Sequence, residues 1–223
     1  MSNSGINKVS LERLYAASRK RFGFLNWWPG ESALEIVVGA VLTQQTSWSN
    51  VEKAIHNLKA NGLLDIEKLS NAEIGTLEKL IKSSGYFRQK AKRLQSLCRF
   101  IINRYGDLDL FLKLDKAELR ERLLSQKGIG KETCDSIMLY AAGKRIFVVD
   151  AYTKRILSRV FSINENIGYD ELQKLLQDNT EKSTTMFKDM HAQFVEVGKN
   201  FCKKSNPICA DCPLNKMCAY AGK

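Results

Sequence analysis

Apolar residues recur every three or four positions along most of the chain, which is the spacing of one face of a helix. In the first segment of this kind, Leu11, Leu14 and Tyr15 fall on a single stripe. The alternation typical of strands is rare, and only three prolines interrupt the pattern. The pattern therefore predicts an all-α protein. The predicted helices cover residues 9–22, 31–43, 49–61, 71–83, 87–104, 115–125, 131–142, 151–161, 170–177 and 185–201.

The composition is that of a folded globular protein, because 44% of the 223 residues are hydrophobic and 26% are charged. Lys and Arg number 35 against 24 Asp and Glu, which gives a formal net charge of +11. This excess favours a polyanionic partner such as a nucleic acid. The sequence contains no internal repeat and no linker rich in Pro or Ser, so a second domain would have to combine distant parts of the chain.

The longest apolar runs, such as residues 36–42, are far shorter than the roughly 20 residues that cross a bilayer. No basic segment precedes an apolar run at the N-terminus. We therefore expect a soluble, unexported protein with no membrane partner, located in the cytoplasm and, in a bacterium, on the nucleoid. Because a reducing cytoplasm keeps cysteines as free thiols, the spacing of the six cysteines indicates metal ligation rather than disulfides.

Four cysteines crowd a polar loop near the C-terminus with the spacing C-x6-C-x2-C-x5-C. They are Cys202, Cys209, Cys212 and Cys218. Four thiolates at this density are expected to close on one metal ion or cluster, and their identity alone leaves tetrahedral zinc and an iron–sulfur cluster both open. The other two cysteines, Cys98 and Cys134, lie in apolar helical segments and are expected to be core residues.

A short segment between two predicted helices contains Lys127, Gly128, Gly130 and Lys131. Two glycines permit a tight turn that exposes backbone N–H groups at the start of the next helix, which is a suitable phosphate site, although the segment could also be an ordinary helix connection. Asp150 follows the apolar run 146–149 and precedes a basic helix. Its carboxylate could stabilise positive charge on a sugar, or it could cap the helix that follows.

These features together resemble the helix-hairpin-helix DNA glycosylases of the endonuclease III superfamily. The resemblance implies a catalytic role for Asp150 and a [4Fe–4S] cluster on the four C-terminal cysteines, with zinc as the competitor. It also implies two helical domains with Asp150 in the groove between them. Residues 31–142 would form the central helical barrel with the hairpin, and residues 1–30 plus 143–223 would form the domain with the cluster loop.

Two departures from the family pattern narrow the expected chemistry. Bifunctional members carry a Lys in the second hairpin helix that forms an imine with the sugar, whereas Glu132 stands at that position here. Lys131 lies about 100° round the helix and is expected to face phosphate instead. The adenine-mismatch branch carries a catalytic Glu where this sequence has Ala40. Glu35 is expected to be a solvated carboxylate at a helix N-terminus.

All three tryptophans lie near the N-terminus, in the segment Trp27-Trp28-Pro29 and at Trp48. One of them could be a core residue. The segment is nevertheless similar to that of the 3-methyladenine branch, in which such rings enclose the flipped base. The resemblance implies a base pocket that includes Glu132, and an indole face attracts a cationic alkylated purine more than a neutral base.

The resemblance also implies contacts that open the DNA. Gln44 or Gln45 would fill the gap left by the flipped base, and Tyr86 would act as a wedge or be an ordinary loop aromatic. The hairpin residues Lys127, Gly128, Gly130 and Lys131 would hold the DNA backbone. The basic run formed by Arg88, Lys90, Lys92 and Arg93 would contact phosphates or form a solvated helix face.

The sequence therefore predicts a monomeric, monofunctional DNA glycosylase that excises alkylated purines such as 3-methyladenine from damaged double-stranded DNA. It would flip the base and hydrolyse the N-glycosidic bond. One alternative is a mismatch-specific uracil or thymine glycosylase, which would need polar groups to recognise a neutral pyrimidine. The other alternative is a catalytically silent DNA-binding module, in which the three tryptophans belong to the core.

Overall fold

The computed structural model describes residues 5–25 and 27–221, and every regular element within them is helical. The prediction of an all-α protein is confirmed. The α-helices are α1 (Lys8–Phe22), α2 (Ala33–Leu42), α3 (Trp48–Ala60), α4 (Ile66–Asn71), α5 (Ile74–Leu80), α6 (Phe87–Tyr105), α7 (Leu108–Lys113), α8 (Lys116–Leu124), α9 (Lys131–Ser136), α10 (Ala151–Phe161), α11 (Tyr169–Asn179) and α12 (Thr184–Asn200). Short 3₁₀ turns cover Lys82–Ser84 and Asn215–Met217. None of the helices described combines the length and apolarity that crossing a membrane requires.

The helices α4 and α7 lie where the hydrophobic pattern predicted none, because six residues are too few to show a helical period. Their start signals are nevertheless present in the sequence. The Asp65 carboxylate accepts a hydrogen bond from the Lys68 amide, and Asp107 does the same for the Leu110 amide. An aspartate before a short apolar segment is a typical helix N-cap, and it would have located both helices.

Two predicted helices are each divided in the structure. The prediction of one helix over residues 71–83 is wrong, because Ala72 takes an extended ψ of 144° and Glu73 then caps α5 through the Gly75 and Thr76 amides. Residues 131–142 are also not one α-helix. After α9 the chain widens into a π-helical segment, Ile137–Ala141, whose apolar residues give no sequence signal for the change.

The chain divides into two compact units. The continuous unit, Pro29–Lys144, contains α2 to α9. Its longest helix, α6, packs against α2, α4, α5 and α7, while α2 also contacts α3 and the π-helical segment. Almost all of α2 is buried because it is apolar on every face. Cys98 and Cys134 lie in this core with their thiols buried, as the sequence predicted.

The discontinuous unit combines Met1–Trp28 with Arg145–Lys223. Within it, α12 packs against both α1 and α10. Three phenylalanines are buried here, and the Phe147 ring meets Phe187 and Phe194 edge to face, with centroid distances of 5.4 and 6.3 Å respectively. This aromatic core brings the apolar run 146–149, which precedes Asp150, against α12. The unit therefore fixes the start of α10 against the middle of α12.

Candidate active site

Asp150 is the N-cap of α10, where its Oδ1 accepts a 2.7 Å hydrogen bond from the Thr153 amide. Its other oxygen, Oδ2, lies 3.6 Å from Nε2 of His191 on α12, and both side chains are nearly buried. Burial is the largest influence on this carboxyl and raises its pKa. The interactions with His191 and Thr153 outweigh burial, so the pKa of Asp150 lies below its ordinary value. Asp150 is therefore ionised at neutral pH.

Trp27 and Trp28 belong to the same unit as Asp150, and Trp27 lies against His191, the partner of that carboxylate. The Trp27 ring centroid is 5.6 Å from that of His191 and 5.2 Å from that of Trp28. At 5.2 Å and a 43° tilt the two indoles touch each other, so a base cannot lie between them. Any stacking on this pair must use an outer face of one ring.

The segment that leads into Trp27 is held by two polar residues of α12. The carboxylate of Asp189 accepts a 2.7 Å hydrogen bond from the Leu25 amide, and Gln193 donates a 2.7 Å bond to the Gly23 carbonyl. Asp189 is fully buried and also receives a hydrogen bond from the Tyr15 hydroxyl. One helix therefore anchors the tryptophan segment and places His191 against Asp150.

The other predicted pocket residues belong to the continuous unit. Pro29 is exposed and precedes α2. Trp48 is half-buried at the first position of α3, where its indole N–H donates to Glu52 at 2.8 Å. Glu132 is exposed in the first turn of α9. The composition of a complete base pocket thus stays a prediction.

The hairpin that joins α8 to α9 is built around one deeply placed residue, Ile129, which is only 5% exposed. Gly128 takes a φ of +85°, and a Cβ at this position would meet the Arg93 side chain at 2.2 Å. Gly130 caps α9, while Lys127 and Lys131 are exposed. Glycine is therefore required at position 128 for both conformation and space.

A basic cavity of about 580 Å³ lies beside the hairpin in the continuous unit. Its lining consists of polar and basic residues from α6 and the hairpin: Gln89, Lys92, Arg93, Ser96 and Lys127. Among the residues that the structure describes, no carboxylate contributes to this lining, so the cavity presents positive charge and hydrogen-bond donors. An anionic group is the chemical class that such a surface attracts.

Two loops that precede α3 and α6 carry the predicted gap-filling and wedge residues. Gln45 is exposed with a φ of +55°, and Tyr86 is 63% exposed with a φ of +46°. The Gln44 side chain, in contrast, is engaged inside the unit. Its amide nitrogen donates to the Gly128 carbonyl and to Thr133 Oγ1, each at 3.0 Å. Gln45 is therefore the more accessible of the two glutamines.

Two expectations about charged residues are wrong. Lys90 was expected to contact phosphate or solvent, but it is 1% exposed and donates to two backbone carbonyls, at Leu42 and Ser84. Glu35 was expected to be solvated, yet it is 7% exposed and pairs with Lys59 at 2.9 Å. Both residues lie where helices pack against one another, which a local pattern of charges does not reveal.

The cysteine loop follows α12 and its four thiols line one small cavity of about 20 Å³. Arg159 holds the loop: its guanidinium donates to the Lys203 and Lys204 carbonyls and lies 3.4 Å from the Cys202 sulfur. Burial raises the pKa of the Cys212 thiol, a hydrogen bond from the Leu214 amide lowers it, and the three neighbouring thiols raise it again.

Over residues 5–25 and 27–221, no three His, Cys, Asp or Glu side chains are arranged as ligands of a single metal ion. A four-iron cluster gives each cysteine its own iron, so its ligand sulfurs lie farther apart than those around one zinc ion. Four thiols around one shared cavity supply the donor set that both a zinc ion and a four-iron cluster accept.

Comparison with known families gives the deciding observation. Residues 38–182 match the family model of the HhH-GPD superfamily of base excision DNA repair proteins. This chain belongs to the HhH-GPD superfamily. The match spans the hairpin and Asp150, and it confirms the resemblance to endonuclease III-like glycosylases that the sequence motifs indicated. Membership of the HhH-GPD superfamily supports DNA glycosylase activity.

Individual relatives agree with this assignment. A Methanocaldococcus jannaschii protein provisionally named DNA repair glycosylase MJ1434 is 45% identical over 208 residues, which cover 92% of this chain and 94% of that protein. A thymine/uracil-DNA glycosylase of Methanothermobacter thermautotrophicus is 28% identical, covering 84% and 82% of the two chains. The crystal structure of H. pylori 3-methyladenine DNA glycosylase MagIII bound to 1,N6-ethenoadenine aligns with a TM-score of 0.74 and 30% identity, covering 85% and 96%.

Sequence reasoning missed three residues of this HhH-GPD site: Asp189, His191 and Gln193. They lie at alternate positions in α12, and all three are buried or almost buried. Their signal is polar side chains placed inside an otherwise apolar helix, since buried polar groups persist only where they have partners. The pattern could have indicated that buried polar side chains of α12 bind partners elsewhere in the fold. It could not have identified Asp150 and Leu25 as those partners.

Proposed function

We propose that this chain is a monofunctional DNA glycosylase that removes alkylated purines, with 3-methyladenine as the representative substrate, from double-stranded DNA. The observation that carries the proposal is the assembly of Trp27, His191 and the ionised carboxylate of Asp150 within one unit. It combines a base-stacking surface with an anion. Superfamily membership supplies the reaction class.

In the proposed reaction, the bond between the purine nitrogen and C1′ of the sugar breaks and a water oxygen bonds to C1′. Positive charge develops on the sugar as the purine leaves, and the Asp150 carboxylate stabilises it. The same carboxylate is suited to orient the water or accept its proton. The His191 contact contributes by keeping the carboxyl ionised and by limiting its rotation.

The aromatic segment supports alkylated purines as the substrate class. Alkylation of a ring nitrogen makes the purine cationic, so it gains a cation–π attraction to an indole face in addition to stacking. A cationic purine is also a better leaving group, which suits a site that relies on the Asp150 carboxylate and has Glu132 where bifunctional members carry the lysine nucleophile. The likeness to H. pylori MagIII, whose structure contains a modified adenine, supports the same class.

The DNA contacts proposed from the sequence are supported by exposure and charge. The hairpin residues Lys127 and Lys131 are exposed, and Lys127 lines the basic cavity. Gln45 and Tyr86 are exposed in their loops. We assign Gln45 to fill the gap in the duplex and Tyr86 to act as the wedge. The protein would act as a monomer in the cytoplasm.

We propose that Cys202, Cys209, Cys212 and Cys218 hold a [4Fe–4S] cluster. Endonuclease III homologues usually carry one, and the shared cavity of the four thiols fits this donor set. When bound, the cluster would cross-link the loop and contribute to the stability of the discontinuous unit. Anaerobically purified protein should contain iron and be brown, and Cys212→Ala should lose the colour. Stoichiometric zinc without iron would contradict the cluster.

A base-release assay with identification of the excised base by mass tests the function. Duplexes that contain 3-methyladenine, 1,N6-ethenoadenine, uracil opposite guanine and thymine opposite guanine form the panel. We expect release of the modified purines and negligible release of undamaged adenine. Release of uracil or thymine alone would support the mismatch-specific alternative instead, and release of no base would support the silent DNA-binding module.

Borohydride treatment during turnover tests whether the enzyme is monofunctional. Because Glu132 cannot form an imine, we expect no covalent protein–DNA adduct and intact abasic sites that break only after alkali. Glu132→Ala serves as the control, because the absence of an adduct should not depend on this carboxylate. Efficient trapping in the unmodified protein would show that an amine reaches the sugar.

A further inference from the structure

The side chain of Lys90 is the most deeply buried amine near the two exposed loops. It is 1% exposed, and its Nζ donates a 2.8 Å hydrogen bond to the Leu42 carbonyl and a 2.6 Å bond to the Ser84 carbonyl. These two carbonyls are 42 residues apart in the chain, so a single ammonium group on α6 connects two segments that are distant in sequence.

Both carbonyls close the element that precedes an exposed loop. Leu42 is the last residue of α2, and Gln45 follows three positions later. Ser84 is the last residue of a 3₁₀ turn, and Tyr86 follows two positions later. Gln45 and Tyr86 both take left-handed backbone conformations, which are unfavourable for a non-glycine residue and persist only where the surrounding structure holds them.

One turn further along the same face of α6, Arg93 extends the connection to the hairpin. Its guanidinium donates a 2.7 Å hydrogen bond to Oε1 of Gln44, whose amide nitrogen bonds the Gly128 carbonyl and Thr133. The side chain also fills the space where a Cβ of Gly128 would lie. Arg93 therefore touches the hairpin directly and through Gln44.

We propose that Lys90 and Arg93 are positioning residues that make α6 a common platform for the two exposed loops and the hairpin. Lys90 sets the position of Gln45 relative to Tyr86. Arg93 sets the position of the Gln45 loop relative to the hairpin. The geometric part of this inference stands on the contacts alone, and its consequence for base flipping rests on the proposed function.

The consequence for base flipping follows from geometry. A gap-filling residue and a wedge must enter the duplex at one base pair, at a fixed offset from the phosphates held by the hairpin. Misplacement by about 1 Å can cost two orders of magnitude in rate. Contacts from one helix, α6, to both loops and the hairpin prevent such misplacement, because the loops then cannot shift independently of one another.

Hydrogen exchange of the free protein tests the platform without any DNA. Lys90→Met should increase exchange in residues 43–47 and 84–87 at least tenfold and leave the hairpin, residues 126–130, unchanged. Arg93→Met should increase exchange in residues 43–47 and 126–130 and leave 84–87 unchanged. Lys53→Met, which removes an exposed lysine of α3, is the matched control and should match the unmodified protein.

Exchange that rises uniformly through the continuous unit, or that does not rise in either loop, would overturn the proposal. If Lys90→Met does not fold, Arg93→Met still tests the proposal, because it predicts raised exchange at the hairpin and unchanged exchange at residues 84–87. These outcomes do not depend on whether the protein excises bases.

A second measurement compares excision from duplex and from single-stranded DNA. A single strand has no opposite strand to wedge and no stacked gap to fill, so loop position matters mainly in the duplex. Lys90→Met should therefore reduce duplex excision at least tenfold more than single-strand excision, whereas Lys53→Met should affect neither. An equal loss on both substrates would assign Lys90 to stability alone. If the unmodified protein excises no base, the proposed function fails while the exchange result still decides the platform.

Discussion

The two units each contain a long helix with one buried charge that holds a loop, and the two charges are balanced differently. Asp189 on α12 accepts from the Leu25 amide and the Tyr15 hydroxyl, and Arg19 lies 3.3 Å away as its counter-ion. Lys90 on α6 donates only to carbonyl oxygens, and no carboxylate in the described part of the chain forms an ion pair with it. Burial accordingly lowers the pKa of Lys90 to about 8.

Asp189 and Lys90 therefore support different parts of the proposed site. The helix that carries Asp189 also carries His191, so in the discontinuous unit the anchor of the tryptophan segment and the partner of Asp150 are parts of one rigid element. In the continuous unit, α6 carries no residue proposed to act on the sugar or the base. The buried charge of Lys90 ties two backbone segments together. Substitutions at Asp150 in the discontinuous unit should therefore reduce the rate of the chemical step. Substitutions at Lys90 in the continuous unit should instead disturb the positions of the exposed loops.

The largest effect is expected for Asp150→Asn. Asparagine can still cap α10, so folding should be preserved while the charge that stabilises the transition state is lost. We expect excision to fall by roughly a hundredfold or more. Binding to a duplex with an abasic site should be equal or tighter, because a negative charge is removed. Asp178→Asn, at an exposed position of α11, is the control. Substantial excision by Asp150→Asn would place the catalytic group elsewhere.

The comparison of Asp150 with Lys90 and His191 shows which site residues could be predicted from the sequence. Asp150 could be predicted because its position after an apolar run and before a basic helix is a local pattern, and its capping bond is likewise local. Lys90 was misread as a surface cation because the two carbonyls that bind it lie 48 and 6 residues away. His191 was missed because its partner is 41 positions distant. Long-range pairing of polar groups leaves little trace in a local pattern.

The next effect in size is a loss of stability in Asp189→Asn. Asparagine keeps one acceptor oxygen, but it loses the charge that faces Arg19 and cannot satisfy all the buried donors. An unsatisfied buried donor costs about 2 kcal/mol, so the free energy of unfolding in denaturant should fall by roughly that amount. Asp178→Asn again serves as the control. An unchanged stability would mean that Asp189 is not the anchor of the tryptophan segment.

A smaller effect is expected when an aromatic ring is removed. Stacking of a base on an aromatic side chain is worth about 1–3 kcal/mol, so Trp28→Ala or Trp48→Ala should lower excision of 3-methyladenine by about tenfold or more. Binding to undamaged duplex should change much less. Phe24→Ala removes an exposed ring of the same N-terminal segment and should leave excision unchanged. Equal losses in excision and duplex binding would indicate that the tryptophans support the fold and not the base.

The smallest effect is the dependence of stability on pH that the buried amine of Lys90 produces. The ordinary pKa of lysine is 10.5, and burial, aided by the nearby charge of Arg93, lowers that of Lys90 to about 8. Between these values the unfolded chain binds a proton that the folded chain has released, so stability rises with pH in that window, and the penalty is fully present below it. From pH 7 to pH 9, the free energy of unfolding should rise by about 1 kcal/mol more in the unmodified protein than in Lys90→Met. Lys53→Met should follow the unmodified protein at every pH, and Arg93→Met should show a smaller rise. A constant difference between the unmodified protein and Lys90→Met would mean that the charge of Lys90 is compensated, and the contrast with Asp189 would then disappear.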